Sequence, residues 1–265
     1  MKVYISADIE GITGTTHWDE TEKNKADYAE FQQQMTAEVV AACEGALKAG
    51  ADELWVKDAH DSARNILAAQ LPPQVKLIRG WSGHPYLMMD RLDSSFQAAV
   101  MVGYHSRAGS GASPLAHTMA TNNVYTKING QFASEFVINT YIAALEGVPV
   151  VFLSGDAGMC AEAAAFTPGI TTVSVKEGIG SATTSIHPGL AVERIREGVY
   201  AALKQDIACC RLKLPEHFEV EIRYRDQGKA YAASFFPGAS LLDPSTIRFT
   251  ADSYFSVLQL FSFVY

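Results

Sequence analysis

The feature that most constrains the fold of this chain is a repeated alternation, through its first two thirds, of short apolar runs with longer helical patterns. Helical patterns cover residues 27–49, 84–91, 132–145 and 157–165. The apolar runs that predict strands are residues 2–6, 54–57, 75–78, 98–104, 124–128, 148–153 and 171–175. Such alternation is typical of an α/β fold, in which helices cover a mostly parallel sheet.

The pattern changes after residue 175. A long helix is predicted over residues 188–204, Pro215 interrupts the chain, and residues 218–224 and 246–250 alternate like antiparallel strands. Asp252 is a suitable cap for a final helix. We therefore expect an α/β catalytic domain at residues 1–185 and a smaller α+β domain at residues 186–265, and residues 75–98 could be shared between the two.

Charge and composition exclude several classes of protein. The 265 residues include 29 acidic and 21 basic ones, giving a net charge of -8 with no long run of either sign. This composition predicts no nucleic-acid partner and no polybasic membrane anchor. The sequence passes from Met1-Lys2 straight into the first strand, without a signal-peptide pattern, and no apolar run approaches the ~20 residues of a membrane span. We expect a cytoplasmic protein.

Side chains that bind metals follow several predicted strands. Asp8 and Glu10 come after the first strand, His60 after the second and His105 after the run at 98–104. The run at 124–128 leads through Asn129-Gly130 to Glu135. Because the carboxyl ends of strands in an open α/β sheet share one edge, these side chains are expected to converge there.

The five residues suit two metal ions better than one. A tetrahedral catalytic zinc takes three protein ligands and leaves one position for water. Two-ion hydrolytic sites hold their ions about 3.5–4 Å apart. If Asp8 bridges the ions, one would also take Glu10 and His60, and the other His105 and Glu135. Each residue alone has an ordinary explanation, since a histidine after a strand is often structural and an acid at a helix start favours the dipole.

Other polar residues are weaker candidates. His117 follows a loop of small residues at 106–113 and could move protons, but spacing alone assigns it no role. Asp58 could support His60 without binding metal, or simply end a strand, and Asp156 is expected to line the pocket. Surface positions or local structural roles are expected for the remaining histidines, which are His17, His84, His187 and His217.

Together these motifs resemble a known family, the zinc D-aminopeptidases encoded with dipeptide transport systems. The matching segments are residues 6–11 (SADIEG), 58–60 (DAH), 103–105 (GYH), 116–118 (AHT) and 129–130 (NG) with Glu135. The resemblance implies that Asp8, Glu10, His60, His105 and Glu135 hold two zinc ions per chain and that His117 is catalytic. It further implies short peptide substrates with a D residue at the free amino end, and a ring-shaped homodecamer enclosing a channel.

The resulting hypothesis is a cytoplasmic dinuclear zinc aminopeptidase for peptides such as D-Ala-D-Ala. A metal-bound hydroxide would attack the peptide carbonyl, with His117 as acid, base or nucleophile. Alternatives are another metal-dependent amidase or a phosphoesterase, or a non-enzymatic assembly protein with a structural metal. The preference for D or L residues and the native metal stay open. The apolar residues 254–265 either dock on their own chain or form a subunit interface, and the resemblance favours the interface.

Overall fold

The computed structural model describes residues 1–265 and contains two β-sheets with six α-helices. The strands are β1 (Lys2–Ala7), β2 (Glu53–Asp58), β3 (Val75–Ile78), β4 (Ala98–Tyr104), β5 (Asn123–Ile128), β6 (Gln131–Phe132), β7 (Val150–Asp156), β8 (Thr171–Ile179), β9 (Ala182–Ser185), β10 (Phe218–Tyr224), β11 (Ala239–Asp243) and β12 (Thr246–Ala251). The helices are α1 (Tyr28–Ala49), α2 (Glu135–Leu145), α3 (Ala157–Phe166), α4 (Pro188–Lys204), α5 (Gln227–Ala233) and α6 (Tyr254–Val264).

The larger sheet has seven strands in the order β3-β2-β1-β4-β7-β8-β9. Every neighbouring pair is parallel except the β8–β9 hairpin. Strand β1 lies between β2 and β4, so the residues that follow these three strands meet at one edge. The predicted fold class, a mostly parallel sheet covered by helices, is confirmed.

Alternating side chains of β1 define the two layers that cover this sheet. Val3 and Ile5 pack in a core with α1 and α4, whereas Tyr4 packs in a second core with α2, α6 and the smaller sheet. All three side chains are fully buried. A strand that is apolar on both faces is expected in the centre of such a sheet. No helix in the structure combines the length and apolar composition that a membrane crossing requires.

The smaller sheet is antiparallel, with the strand order β11-β12-β10-β5-β6. Our placement of residues 124–128 in the parallel sheet was wrong, because β5 pairs with β10 and with β6 in this sheet. The reason is local: Asn129 and Gly130 have φ angles of 52° and 77°. Two consecutive residues with positive φ form a tight hairpin turn, which returns the chain antiparallel to β5.

The division at residue 185 stays a prediction about folding units. In space, elements from both sides of that residue mix. Strand β5 joins the smaller sheet, while α4 packs along α1 on the larger one.

Two local predictions differ from the structure. Residues 84–91 form only a short 3₁₀ turn at Leu87–Met89, because Leu87 and Arg91 have φ angles of 48° and 66°, which a continuous right-handed α-helix does not accommodate. The final helix begins at Tyr254, with Ser253 and not Asp252 at its N-cap.

Candidate metal centre and active site

Four of the predicted ligands lie at one edge of the larger sheet. Asp8 directly follows β1, Glu10 lies in the turn after it, His60 follows β2, and His105 follows β4. The exposed fraction of each residue is 8% or less. Buried ionisable side chains at strand ends are costly unless they pair with one another or bind an ion.

Glu135 reaches the same place by a different route. It is the first residue of α2, whose N-cap Ser134 accepts a hydrogen bond from the Val137 N–H at 3.2 Å. The helix was predicted to begin near Phe132, whereas residues 131–132 form β6. The helix start, and not a strand end, therefore carries this carboxylate into the centre.

Two glycines allow the turn that follows β1 to lie close against the end of β4, beside the candidate ligands. A Cβ atom on Gly11 would overlap the carbonyl oxygen of Tyr104, and one on Gly103 would overlap that of Asp8. The Gly11 N–H donates to the Gly103 carbonyl at 2.8 Å. Gly103 also has a φ of 71°, which favours glycine. This contact brings Asp8 and Glu10 beside His105.

The two carboxylate oxygens of Asp8 face different histidines. Asp8 Oδ1 lies 3.3 Å from His60 Nδ1, and Asp8 Oδ2 lies 3.5 Å from His105 Nε2. Glu10 Oε2 is 3.0 Å from His60 Nδ1, and Glu135 Oε2 is 3.4 Å from His105 Nε2. The structure thus brings together both predicted ligand groups, one of Asp8, Glu10 and His60 and the other of Asp8, His105 and Glu135.

Backbone carbonyls fix the orientation of both histidine rings. The Thr21 carbonyl lies 3.0 Å from His60 Nε2, and the Ser106 carbonyl lies 3.0 Å from His105 Nδ1. Because a carbonyl only accepts, each of these nitrogens carries the proton of a neutral ring. The other nitrogen then turns its lone pair toward the carboxylates, as in metal sites whose ligand histidines are oriented by a hydrogen bond.

Unpaired buried atoms support a cation in this centre. Glu10 Oε2 and His105 Nε2 are both buried without a hydrogen-bond partner. Lone pairs of imidazole and carboxylate facing one another repel unless a proton or a metal ion lies between them. The residues present therefore fit zinc, which takes imidazole nitrogen and carboxylate oxygen.

The pKa values of the metal-free centre reflect the same crowding. Burial and the neighbouring Glu10 raise the pKa of Asp8 well above its ordinary value. Burial alone would lower the pKa of His105, but the Glu135 carboxylate outweighs it and raises that pKa to about 10. Burial opposes ionisation of Glu135 too, yet His105 and His117 bring its pKa down to about 2. Without metal, protons must take the place of the cations.

His117 lies beside the centre, with its ring stacked on His105. Its Nδ1 lies 3.0 Å from the Leu115 carbonyl, so the neutral ring carries its proton there and presents the Nε2 lone pair. That Nε2 is 3.5 Å from Glu135 Oε1. Burial and the nearby His105 lower the pKa of His117, which favours the neutral base. His117 could also join Glu10 and His105 as a third ligand group.

Two aspartates near the centre hold loops and do not line it. Asp58 accepts from the side-chain amide of Asn65 at 2.8 Å and from the Ile66 N–H at 2.7 Å, which shapes the loop after His60. Asp156 caps α3 and accepts from the Ser106 N–H at 2.6 Å. Our expectation that Asp156 lines the pocket was wrong, because its buried carboxylate accepts hydrogen bonds beneath the loop that follows His105.

A buried lysine that sequence analysis missed secures the first acidic turn. Lys176 is 3% exposed, and its Nζ donates to the carbonyls of Glu10 and Thr15, both at 2.5 Å. On the same turn, the Thr13 N–H donates to the buried carboxylate of Glu38 at 2.9 Å. Lys176 lies in β8 between β7 and β9 with no motif around it, so only its burial in the fold reveals its role.

An open cavity of about 410 Å³ gives access to the centre. Asp8, Glu10, His60, His117 and Glu135 lie on its wall. Trp18, Trp81, Met88 and Met119 complete an apolar rim that sequence analysis did not identify. The other histidines lie elsewhere. His17 caps a short 3₁₀ helix and His187 caps α4, while His84 packs on Tyr86 and His217 pairs with Asp252.

Comparisons with known proteins agree with this arrangement. A family model described as Peptidase M55, D-aminopeptidase, matches residues 1–263. The D-aminopeptidase of Bacillus subtilis (strain 168) is 30% identical over 261 residues, which is 98% of this chain and 94% of the relative. The solved structure of the Zn-dependent D-aminopeptidase DppA from Bacillus subtilis, a self-compartmentalizing protease, matches with a TM-score of 0.93. Its identity is 29%, and the match covers 98% of this chain and 95% of that one.

These similarities confirm the predicted family and the prediction of an aminopeptidase enzyme. They cover both sheets and all the candidate residues, since the family match extends from residue 1 to residue 263. The chain belongs to the M55 peptidase family of D-aminopeptidases.

Proposed function

We propose that this protein is a dinuclear zinc aminopeptidase that hydrolyses short peptides with a D residue at the free amino end. The observation that carries the proposal is the division of the Asp8 carboxylate between His60 and His105. One carboxylate that faces two separate sets of ligands is suited to bridging two ions. The zinc dependence and D-aminopeptidase activity named for the Bacillus subtilis relative support the metal and the substrate class.

The proposed ligands are Asp8, Glu10 and His60 for one ion and Asp8, His105 and Glu135 for the other. Zinc, when bound there, polarises a peptide carbonyl and lowers the pKa of water to about 7. The chain's own part is to hold three carboxylates and two neutral imidazoles in a buried centre. The carbonyls of Thr21 and Ser106 orient the two imidazole rings in advance.

His117 is proposed to move the proton. Its Nε2 lone pair faces the centre, so it can accept a proton from the attacking water and deliver it to the leaving amine. Glu135 Oε1 would stabilise the resulting imidazolium from 3.5 Å. The Met119 N–H donates to the same oxygen at 2.7 Å and keeps it in place.

The cavity and the relative suggest how substrates are limited. A volume of about 410 Å³ suits a peptide of a few residues. The solved relative is named a self-compartmentalizing protease, which supports the proposed homo-oligomer. The family resemblance adds the proposal of a ring-shaped decamer that admits only short chains. The cytoplasmic location stays a prediction.

The test is a hydrolysis screen of purified, zinc-loaded protein with D-Ala-D-Ala, D-Ala-L-Ala and L-Ala-L-Ala, beside N-acetylated D-Ala-D-Ala and p-nitrophenyl phosphate. We expect hydrolysis of the peptides with a free amino-terminal D residue and its loss after chelation. Faster turnover of the L,L peptide would contradict the stereochemical claim. Preference for the acetylated peptide or the phosphate ester would indicate another amidase or a phosphoesterase, and no turnover at all would favour a structural metal.

A further inference from the structure

Trp81 is a large aromatic residue that remains half-exposed at the wall of the catalytic cavity. Its exposed fraction is 44%, although most large apolar side chains near the centre are buried. Ala59 and Met88 lie on the same cavity wall. An exposed apolar surface within a binding cavity generally marks a place where a ligand packs.

The indole of Trp81 is held in place from two sides. Its Nε1–H donates to the Asp61 carbonyl at 2.7 Å. The Nζ of Lys57 lies 4.1 Å from the ring centroid and donates to the Gly80 carbonyl at 2.6 Å. Because Lys57 itself has no exposed surface, one face of the indole is closed and only the other can meet a ligand.

The loop that provides the Asp61 carbonyl has an uncommon backbone conformation. Asp61 and Ala63 have φ angles of 43° and 52°, values that residues other than glycine seldom adopt. The buried Asp58 carboxylate, which binds Asn65, holds this conformation. Such locally strained loops cluster at ligand sites, where the surrounding structure fixes them. The same loop also carries His60, so the wall and the metal centre are positioned together.

His117 sets the direction of a bound peptide. If His117 delivers a proton to the leaving amine, the second residue of the substrate lies on the His117 side of the centre. The first residue then lies on the opposite side, near His60, where Trp81 bonds to the neighbouring Asp61. We infer that Trp81 is the wall of the subsite for the side chain of the amino-terminal residue. This inference rests on the proposed function.

The charge behind the indole indicates the chemistry of that side chain. An ammonium group on one face of an aromatic ring draws on the electron density that would attract a second cation. Lys57 already occupies that position. The free face is thus better suited to an aliphatic side chain than to the substrate's ammonium group or to a basic residue.

A series of dipeptides tests the assignment. Zinc-loaded wild type, Trp81→Ala and Trp81→Phe are compared on Gly-Gly, D-Ala-Gly and D-Leu-Gly, which vary the first residue, and on D-Ala-D-Ala and D-Ala-D-Leu, which vary the second. For Trp81→Ala we expect kcat/KM to fall roughly tenfold for D-Leu-Gly, mainly through KM, with little change for Gly-Gly. Trp81→Phe, which keeps an aromatic face, should lose less. A loss that is equal for Gly-Gly and D-Leu-Gly, or that follows the second residue, overturns the inference.

Binding of the product D-leucine gives a readout that needs no turnover. Tryptophan fluorescence should change on D-leucine addition in the wild type and in the control Trp55→Phe, because Trp55 packs on Phe96 away from the cavity. Trp81→Phe should lose most of the change, and an unaltered signal there overturns the inference.

Unchanged kinetics with altered sedimentation would assign the indole to a subunit contact instead. A wild type inactive on all D peptides overturns the proposed function itself, whereas an active wild type with an unaltered Trp81→Ala profile overturns this inference alone.

Discussion

The rings of His105 and His117 stack face to face, with centroids 4.3 Å apart and planes 8° from parallel. The two histidines nevertheless present different chemistry. His105 Nε2 faces the carboxylates of Asp8 and Glu135, whereas His117 Nε2 lies 3.5 Å from Glu135 Oε1 and near Glu10. Stacking places the proposed proton carrier directly against a proposed ligand of the metal. In the proposed mechanism, metal binding therefore falls to His105 and proton transfer to His117.

Replacement of His117 by alanine should separate these two tasks experimentally. We expect His117→Ala to keep its metal content and to lose about 10²- to 10⁴-fold in kcat, the usual contribution of a general acid or base. The control is His217→Ala, which removes an exposed histidine paired with Asp252. Loss of metal from His117→Ala would make His117 a ligand, and full activity would place the proton path elsewhere.

Stability of the metal-free protein should fall as the pH rises above neutrality. The pKa of His105 is raised to about 10 in the folded chain, against an ordinary value of 6.5. The folded state then binds a proton that the unfolded state has already released. This contribution is complete below about pH 6.5 and is lost as the pH rises through about 10.

Metal binding should remove this pH dependence, since a ligand imidazole must be neutral and the ion replaces its proton. Denaturant unfolding between pH 6.5 and 10, with zinc or with a chelator, measures the effect. We expect a falling free energy of unfolding only in the chelated sample. Equal slopes in the two samples would mean that zinc does not displace the His105 proton.

The sequence correctly predicted that candidate ligands following parallel strands converge. Asp8, His60 and His105 come within two residues of the ends of β1, β2 and β4, and neighbouring parallel strands must bring their carboxyl ends together. Glu135 was identified for a partly wrong reason. Its preceding strand belongs to the smaller sheet, and the hairpin turn at Asn129-Gly130 was a usable signal for that.

Other parts of the site depend on contacts that no local pattern encodes. Lys176 and Glu10 are 166 positions apart, and their contact exists only because β8 lies beside the first turn in the folded chain. Trp81 follows a glycine in a segment with irregular backbone, where periodicity carries no information. Such residues become visible only when burial and distances are known.

Lys176 should be required for full metal binding although it touches no metal. Lys176→Met leaves the carbonyls of Glu10 and Thr15 without a donor, at a cost of about 1–3 kcal/mol for each buried group. We expect lower stability and roughly 10- to 100-fold weaker binding of the ion at Glu10. Zinc titration of this variant beside the exposed control Lys229→Met measures it, and unchanged affinity would make the lysine purely structural.

The carboxyl-terminal helix should act in folding and not in assembly. We expected α6 to form a subunit interface, but Tyr254, Val257, Leu258, Leu260, Phe261 and Val264 are buried within the chain. Docking on its own chain thus accounts for its apolar composition. Phe261→Ala should cost roughly 3–5 kcal/mol in unfolding free energy, while Phe263→Ala, at a position 79% exposed, should cost about 1 or less. Dissociation of a stable assembly by Phe261→Ala would restore the interface hypothesis.

The central claim is that Asp8 connects two metal ions, and elemental analysis of matched variants tests it most directly. Purified wild type should contain two zinc ions per chain, Asp8→Ala close to none, and Glu10→Ala or Glu135→Ala close to one, because the proposed division gives each of those two residues to a single ion. The control Asp252→Asn alters an exposed carboxylate that pairs with His217, outside both groups. One zinc per chain in the wild type, or two in Asp8→Ala, would contradict the account.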